Sequence, residues 1–197
     1  MCDGIVIDAH VIKHLTPELI RGHGAIYSLI SWITSNCGIA ISERIKIHWE
    51  KHCGTRERNT RFWEWYWDEL YNKRTIHPIP VKRFSGKDWR TLLARYRIPP
   101  DIFLRAVIEC ANSTSEPRYI LADDILLHDP VAKTTDSATQ LRIKEERTGS
   151  LCRYLERELF IILGTTNHCK EYFEMNQGTC QTNSPDCDTP CPRVCSS

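Results

Sequence analysis

The sequence has no apolar run approaching the roughly 20 residues needed to cross a bilayer, and we therefore expect no membrane-spanning helix. It also lacks an excess of charge of either sign: 26 Lys and Arg residues stand against 25 Asp and Glu, so no overall basic field indicates a nucleic acid. The motif G-x-x-x-x-G-K-[ST] is absent, which excludes a P-loop NTPase. The first residues, MCDGIVIDAH, show no basic segment followed by a long apolar one, so we expect a cytoplasmic protein.

The composition predicts one core domain followed by a tail. Apolar residues make up 41% of the 197 positions and charged residues 26%, which is a normal mixture for a globular protein. Residues 1–175 are predicted to form the domain. Residues 176–197 contain almost no apolar side chains besides cysteine, and they are predicted to be a disordered tail or one closed by a bound metal ion.

The ten cysteines fall into two groups. Six lie mostly among apolar neighbours and are predicted to be reduced core thiols: Cys2, Cys37, Cys53, Cys110, Cys152 and Cys169. The tail holds the other four: Cys180, Cys187, Cys191 and Cys195. Their C-x6-C-x3-C-x3-C spacing differs from the C-x2-C pairs of common zinc ribbons, so disorder is favoured over a tetrahedral thiolate site.

Short apolar runs rich in β-branched residues alternate with helical patterns along the chain. The runs GIVID, GIAIS, RYIL and LFIILGT predict buried strands, and the two prolines of IHPIPV limit that segment to an edge or extended position. Helical patterns cover residues 16–36, 43–53, 61–73, 85–97 and 98–112, the sequence GSLCRYLERE and residues 167–175. This alternation predicts an α/β fold, a three-layer α/β/α sandwich around a mostly parallel sheet.

Three aspartates are placed where an open parallel sheet binds its ligands. Asp8 ends the first predicted strand, Asp124 follows RYIL closely, and Asp101 begins the helix before RYIL. Because ligands lie beyond the carboxyl ends of such strands, we expect the three side chains to converge. Carboxylate oxygens suit Mg²⁺ or Mn²⁺, which take a few carboxylates with waters and a substrate phosphate. Each acid taken alone is more typical of a helix cap or a solvated turn than of a metal site, and it is the three together that favour the site.

Four segments of the chain form a recognisable pattern: IVIDAHVI, the helix after IAIS, PPDIFLRAVIECA and YILADDILLHDP. Together they resemble the PIN-domain family of metal-dependent ribonucleases, which includes the VapC-type toxins. The resemblance covers roughly residues 4–175, and its specificity comes from the order and spacing of short motifs. It implies that Asp8, Asp101 and Asp124 are metal ligands and catalytic residues. Ala106 lies near the family's small residue in the Asp101 motif, whereas Ala122 replaces a hydroxyl residue before Asp124.

The helix after the second strand departs from the family pattern. The family carries a glutamate there in a context like S-x-x-I-x-x-E-W, and SERIKIHWEKHC places His48 at that position. Glu43 and Glu50 flank His48 without the spacing of helical neighbours. Two interpretations stay open: His48 is a nitrogen ligand that favours Mn²⁺ over Mg²⁺, or the chain has lost a catalytic group.

The resemblance implies an endoribonuclease that hydrolyses RNA phosphodiester bonds with a Mg²⁺ or Mn²⁺ cofactor, as a toxin or defence nuclease restrained by an antitoxin or another regulatory protein. In that chemistry the cation activates a water and shields the phosphate, and no serine or cysteine nucleophile is needed. The alternative, from another functional class, is a catalytically inactive PIN-like module that binds RNA or protein. Metal-dependent cleavage of RNA separates the two.

The helix predicted over 61–73 is unusually rich in aromatic side chains. Such residues are enriched in cores and interfaces, so the pattern favours core packing together with a homodimer or partner interface. Stacking on RNA bases is the other interpretation, in which nearby basic residues would contact phosphates. These basic residues include Arg56, Arg58, Arg61, Lys73 and Arg74.

Overall fold

The computed structural model describes residues 4–100 and 102–168, which form an α/β fold with a small parallel sheet. The strands are β1 (Val6–Ile7), β2 (Ile39–Ile41), β3 (Ile76–Pro78), β4 (Arg118–Leu121) and β5 (Ile161–Gly164). β4 pairs in parallel with β1 and β5, and β2 pairs in parallel with β3. Backbone hydrogen bonds from Ile5 to Gly38 and from Ala40 to Ile5 join the two groups in the order β3-β2-β1-β4-β5.

Helices make up most of the remaining described chain. They are α1 (Ala9–Arg21), α2 (Ala25–Asn36), α3 (Glu43–Cys53), α4 (Thr60–Trp67), α5 (Gly86–Tyr96), α6 (Ile102–Ala111), α7 (Ile125–His128), α8 (Ser137–Glu145) and α9 (Ser150–Glu158). A π-helical turn, Asp68–Asn72, extends α4, and a 3₁₀ turn, Pro130–Thr134, follows α7. No helix in the described part of the chain is both long and apolar enough to cross a membrane.

The strand order reverses between β1 and β4. From β1 the chain builds outward through β2 to β3 on one side, and then crosses back to place β4 and β5 on the other. In open parallel sheets the ligand site lies beyond the carboxyl ends of the strands at such a reversal. The residues that follow β1 and β4 therefore occupy the position where a site is expected.

The first helical region differs from its prediction. The sequence predicted one helix over 16–36 that starts at Thr16, but α1 begins at Ala9 with Asp8 as its N-cap, and Pro17 lies inside it. The helical run then breaks at Gly22, which adopts a left-handed φ of 73° at the end of α1. Helix α1 thus starts where Asp8, directly after the buried strand, caps its first turn, and it ends at Gly22.

A second difference concerns residues 133–148, which the sequence predicted only as a polar stretch. The 3₁₀ turn ends there at Thr134 and α8 follows, and the side chain of Asp136 caps α8 by accepting a hydrogen bond from the Thr139 amide at 3.0 Å. None of the residues of α8 is buried. The apolar periodicity that reveals a packed helix is therefore missing from this segment.

The core confirms several expectations about side chains. Cys37, Cys110 and Cys152 are buried and Cys53 is half-buried, and none of these four forms a disulfide, as predicted; Cys2 and Cys169 lie outside the described residues. In the aromatic helix, the buried members of α4 are Phe62, Trp63 and Tyr66. The expected homodimer or partner interface stays a prediction. The predicted end of the domain at residue 175 and the whole tail lie outside the described residues.

Trp49 connects α3 to the strand that precedes Asp8. Its side chain is fully buried, and its indole Nε1 donates a hydrogen bond to the carbonyl oxygen of Ile7 at 3.0 Å. The contact joins residues that are 42 positions apart in the sequence. It therefore fixes α3, which carries His48, beside the end of β1.

Candidate functional site

Asp8 lies at the carboxyl end of β1 and is 3% exposed. Its backbone amide donates to the Leu121 carbonyl at 2.9 Å, which ties the end of β1 to the end of β4. Its Oδ2 atom accepts hydrogen bonds from the backbone amide of His10 at 3.0 Å and from the His10 ring Nδ1 at 2.9 Å. Asp8 is thus both a helix cap and a buried carboxylate held next to an imidazole.

Asp124 lies beyond the carboxyl end of the neighbouring strand, β4. Its Oδ1 accepts a hydrogen bond from the Leu126 amide at 3.1 Å and caps the short helix α7. Its Oδ2 lies 3.7 Å from the same His10 Nδ1 that binds Asp8. One imidazole therefore lies within ion-pair distance of both carboxylates, which come from residues far apart in the sequence.

Two further histidines complete a cluster around Asp8. His48 is 7% exposed, and its Nδ1 lies 3.9 Å from Asp8 Oδ1. Its ring stacks on Phe103 with centroids 4.2 Å apart and planes within 6°. His52, one turn along α3, places its ring centroid 4.7 Å from that of His48 and 4.9 Å from that of His10.

The protonation states follow from this arrangement. Burial acts to raise the pKa of Asp8, but the hydrogen bonds from His10 and the nearby imidazoles outweigh it and hold the pKa below its ordinary value. The hydrogen bond to Asp8 raises the pKa of His10. Burial, and then the proximity of His10, lowers the pKa of His52. Because an ionised carboxylate can only accept, the Nδ1 of His10 carries the proton in the contact with Asp8.

These side chains line a cleft of about 400 Å³. Lys51 and Lys133, both exposed, add positive charge to its wall. The ammonium of Lys51 lies 5.1 Å from the centre of the Phe103 ring. The cleft therefore combines two carboxylates, three imidazoles, two cations and an aromatic ring, which is a set of groups suited to a polyanionic ligand and a cation.

The turn that carries Asp124 is held by hydrogen bonds from three sides. The carboxylate of Asp123 accepts from the Thr166 amide at 2.9 Å and from its hydroxyl at 2.7 Å. Lys144 Nζ donates to the Asp123 carbonyl at 3.1 Å. His128, which is fully buried, places its Nε2 3.1 Å from the Ala122 carbonyl, so this nitrogen carries the proton. Asp123 is thus a structural residue, whereas Asp124 lines the cleft.

The buried imidazole of His128 makes stability depend on pH. Burial lowers the pKa of His128 from 6.5 to about 4, and the charged or titratable groups that surround the ring are Asp123, Lys144 and His168. Because the unfolded chain takes up the proton first, stability falls as the pH drops from about 6.5 to 4, by about 3 kcal/mol from this group. We expect urea unfolding to show a shallower pH dependence for His128→Gln, whose amide still donates to Ala122. Equal slopes for the two proteins would contradict this assignment.

The predicted site residues divide into three groups. The structure brings Asp8, Asp124 and His48 to one cleft, but it does not test their roles. Asp101 lies outside the described residues; α6 begins at the next position and contributes Phe103 to the cleft. Glu43 lies away from this cleft and its side chain is 76% exposed.

Sequence reasoning missed His10 and His52. His10 follows Asp8 by two residues, where a helix-capping carboxylate reaches back to the chain. His48 and His52 are separated by four residues on one helix, and this spacing places two side chains on the same face. Both signals are visible in the printed sequence.

The two carboxylates offer donors of the kind that Mg²⁺ and Mn²⁺ use. The capping hydrogen bonds are accepted by the other oxygen of each carboxylate, so Asp8 Oδ1 and Asp124 Oδ2 take no part in capping. Mg²⁺ commonly binds through one or two carboxylates, with waters and phosphate oxygens as its other ligands. Within residues 4–100 and 102–168, no three His, Cys, Asp or Glu side chains form a preassembled metal site. The donors thus fit a cation that is completed by waters, a substrate or Asp101.

Comparison of the chain with protein-family models, with curated proteins and with solved structures gives no match.

Proposed function

We propose that this protein is a Mg²⁺- or Mn²⁺-dependent ribonuclease of the PIN type, with its active site in the cleft between Asp8 and Asp124. The main support for this proposal is that His10 Nδ1 lies 2.9 Å from the carboxylate of Asp8 and 3.7 Å from that of Asp124. Two carboxylates that lie this close to one ring nitrogen lie close enough to each other to share a cation. The three-layer α/β/α sandwich of that family belongs to the same proposal.

The position of the site on the sheet also supports the proposal. Asp8 and Asp124 follow β1 and β4, the strands between which the strand order reverses. Sheets of this kind bind ligands at the reversal. No catalytic serine or cysteine is needed there: Cys53, Cys110 and Cys152 each have a pKa raised to about 12 by burial, so their thiols are not nucleophiles at neutral pH.

In the proposed reaction, Asp8 and Asp124 would hold the cation together with Asp101. The cation, when bound, supplies charge neutralisation at the phosphate and acidifies water. The chain's own residues do the rest: Lys51 and Lys133 attract the RNA backbone into the cleft, and His10 holds Asp8 in the correct rotamer. Phe103 stacks on the ring of His48 and thereby holds this side of the cleft beside the carboxylates.

The second candidate is an inactive module that binds RNA or protein, and one observation favours it. The carboxylate of Asp8 is already paired with a ring nitrogen of His10, so the protein satisfies this buried charge without a metal. RNA is the substrate in the first proposal and RNA or protein the ligand in the second, and a toxin role would add a protein partner that blocks the cleft.

The deciding experiment is cleavage of a mixed single-stranded RNA pool by the wild-type protein with Mg²⁺, with Mn²⁺ and with a chelator. The ribonuclease proposal predicts cleavage with at least one cation and none with the chelator. Binding of the RNA without cleavage under any of these conditions would support the inactive module instead. Cleavage that survives the chelator would contradict both.

His48→Glu tests the position where the family pattern is broken. We expect it to increase cleavage in Mg²⁺ by about tenfold or more, since it replaces a ring whose Nδ1 lies 3.9 Å from Asp8 Oδ1 by a carboxylate, which strengthens binding of a hard cation. Without a cation the two carboxylates repel, so the melting temperature should fall and recover when Mg²⁺ is added.

His48→Gln is the matched control, because it has a similar volume but no charge. It should gain neither activity nor Mg²⁺-dependent stability. Strong wild-type cleavage in Mg²⁺ that disappears in His48→Glu would show that this helix is misaligned with the family, and Glu43 or Glu50 would become the candidate acid.

A further inference from the structure

The histidines of the cleft belong to three different positions along two helices. His10 is in the first turn of α1, and His48 and His52 lie four residues apart on α3. His10 and His52 were not needed as cation ligands in the proposed ribonuclease site. Neutral imidazole is the donor that Zn²⁺, Co²⁺ and Ni²⁺ prefer, whereas Mg²⁺ prefers oxygen.

Two of the three ring spacings match what one shared cation requires. Imidazoles bound to a single cation through nitrogens ~2.1 Å away have ring centroids roughly 5 Å apart. The observed spacings are 4.7 Å for His48 and His52, 4.9 Å for His10 and His52, and 6.3 Å for His10 and His48. His52 is thus the central member, and the rings of His10 and His48 have to move closer together for all three to bind one cation.

The hydrogen bond between Asp8 and His10 resembles those that orient a metal-binding histidine, with His10 as the ligand and Asp8 as the carboxylate that positions it. Metal-binding histidines commonly donate their other ring N–H to a carboxylate, which fixes the tautomer and the ring orientation. Here Nδ1 donates to Asp8, so in the neutral ring Nε2 is left with the free lone pair. The backbone of His10 is held by the same carboxylate, which limits the motion of the ring.

We propose that His10, His48 and His52 form a second cation position beside the carboxylate pair, selective for a nitrogen-preferring divalent metal of the Zn²⁺ and Co²⁺ class. It goes beyond the proposed ribonuclease activity because its ligands and its metal class are different. As the side chains stand, no three donors in the described residues are preassembled, so the site forms when the metal binds. Binding there requires neither RNA nor catalysis.

The test is titration of Co²⁺ into the full chain without an oligohistidine tag, followed by visible absorption and calorimetry. We expect one Co²⁺ bound through imidazole, and His52→Ala should weaken it on the order of tenfold or more. His23→Ala removes an exposed histidine outside α1 and α3 and should match the wild type. Equal Co²⁺ affinity for the wild type and His52→Ala would overturn the proposal.

A second measurement does not depend on a variant. In a spectrum of the histidine rings, substoichiometric Zn²⁺, which prefers nitrogen donors and causes no paramagnetic broadening, should shift the His10, His48 and His52 signals first, while that of His23 stays unchanged. Equal shifts of all histidines, or shifts confined to other histidines, would also overturn the site. The two proposals can fail separately. If Co²⁺ binds the histidines but RNA is not cleaved in Mg²⁺ or Mn²⁺, the ribonuclease proposal is wrong and the histidine site stands.

Discussion

Asp8→Asn is expected to reduce metal-dependent RNA cleavage by more than ~100-fold, a larger loss than that seen for residues that only support a ligand. The neutral amide keeps the volume of the carboxylate but is a much poorer ligand for a hard cation. The fold should survive, because asparagine is as good a helix N-cap as aspartate and still accepts from the His10 amide. The measurement is the initial cleavage rate in Mg²⁺ and in Mn²⁺, with the melting temperature measured in parallel.

Asp136→Asn is the matched control for this experiment. Asp136 caps α8 as Asp8 caps α1, but it lies on an exposed helix and lines no part of the cleft. The same chemical change there should leave cleavage unchanged. Unaltered activity in Asp8→Asn, or an equal loss in both variants, would remove Asp8 from the active site.

Trp49→Ala is expected to lower the free energy of unfolding by about 3–5 kcal/mol, the range for deleting a large aromatic side chain from a core. It also leaves the buried carbonyl of Ile7 without its indole donor, which adds a cost of about 1–3 kcal/mol. The loss should be visible as a lower urea midpoint. Since the contact fixes α3 beside β1, His48 should also lose its position near Asp8.

Two further variants separate these contributions. Trp49→Phe keeps most of the packing but lacks the N–H, so it should cost only the hydrogen-bond part. Trp65→Ala removes a half-buried tryptophan from α4 and should cost much less than Trp49→Ala. Equal losses at Trp49 and Trp65 would contradict the role assigned to the Ile7 contact.

The parallel sheet could be predicted because its strands are buried on both faces. Such strands appear as continuous β-branched runs, and both GIVID and GIAIS contain strands at the expected place. The segment IHPIPV holds β3, which pairs only with β2 in the described chain, as its prolines required. The order of the strands could not be read from the sequence, since it depends on contacts such as that of Ile5 with Gly38 and Ala40.

The candidate site was partly predictable for a similar reason. Asp8 and Asp124 could be placed at one edge of the sheet because parallel strands end on the same side. The histidine cluster depends on the packing of α1 against α3, so neither the link of His10 to both carboxylates nor the closeness of His52 follows from spacing alone. The helix start was misplaced at Thr16 because a proline next to a threonine resembles a cap, whereas the buried Asp8 provides the actual one.

The most direct test of the central claim is a crystal structure of the wild-type protein with Mn²⁺, read through its anomalous signal. We predict an anomalous peak in contact with carboxylate oxygens of both Asp8 and Asp124, since both carboxylates lie within 3.7 Å of one His10 ring nitrogen. A further peak among the three histidines is consistent with the second cation position. Mn²⁺ bound only elsewhere, or no Mn²⁺ at the carboxylate pair at concentrations that support RNA cleavage, would contradict the account.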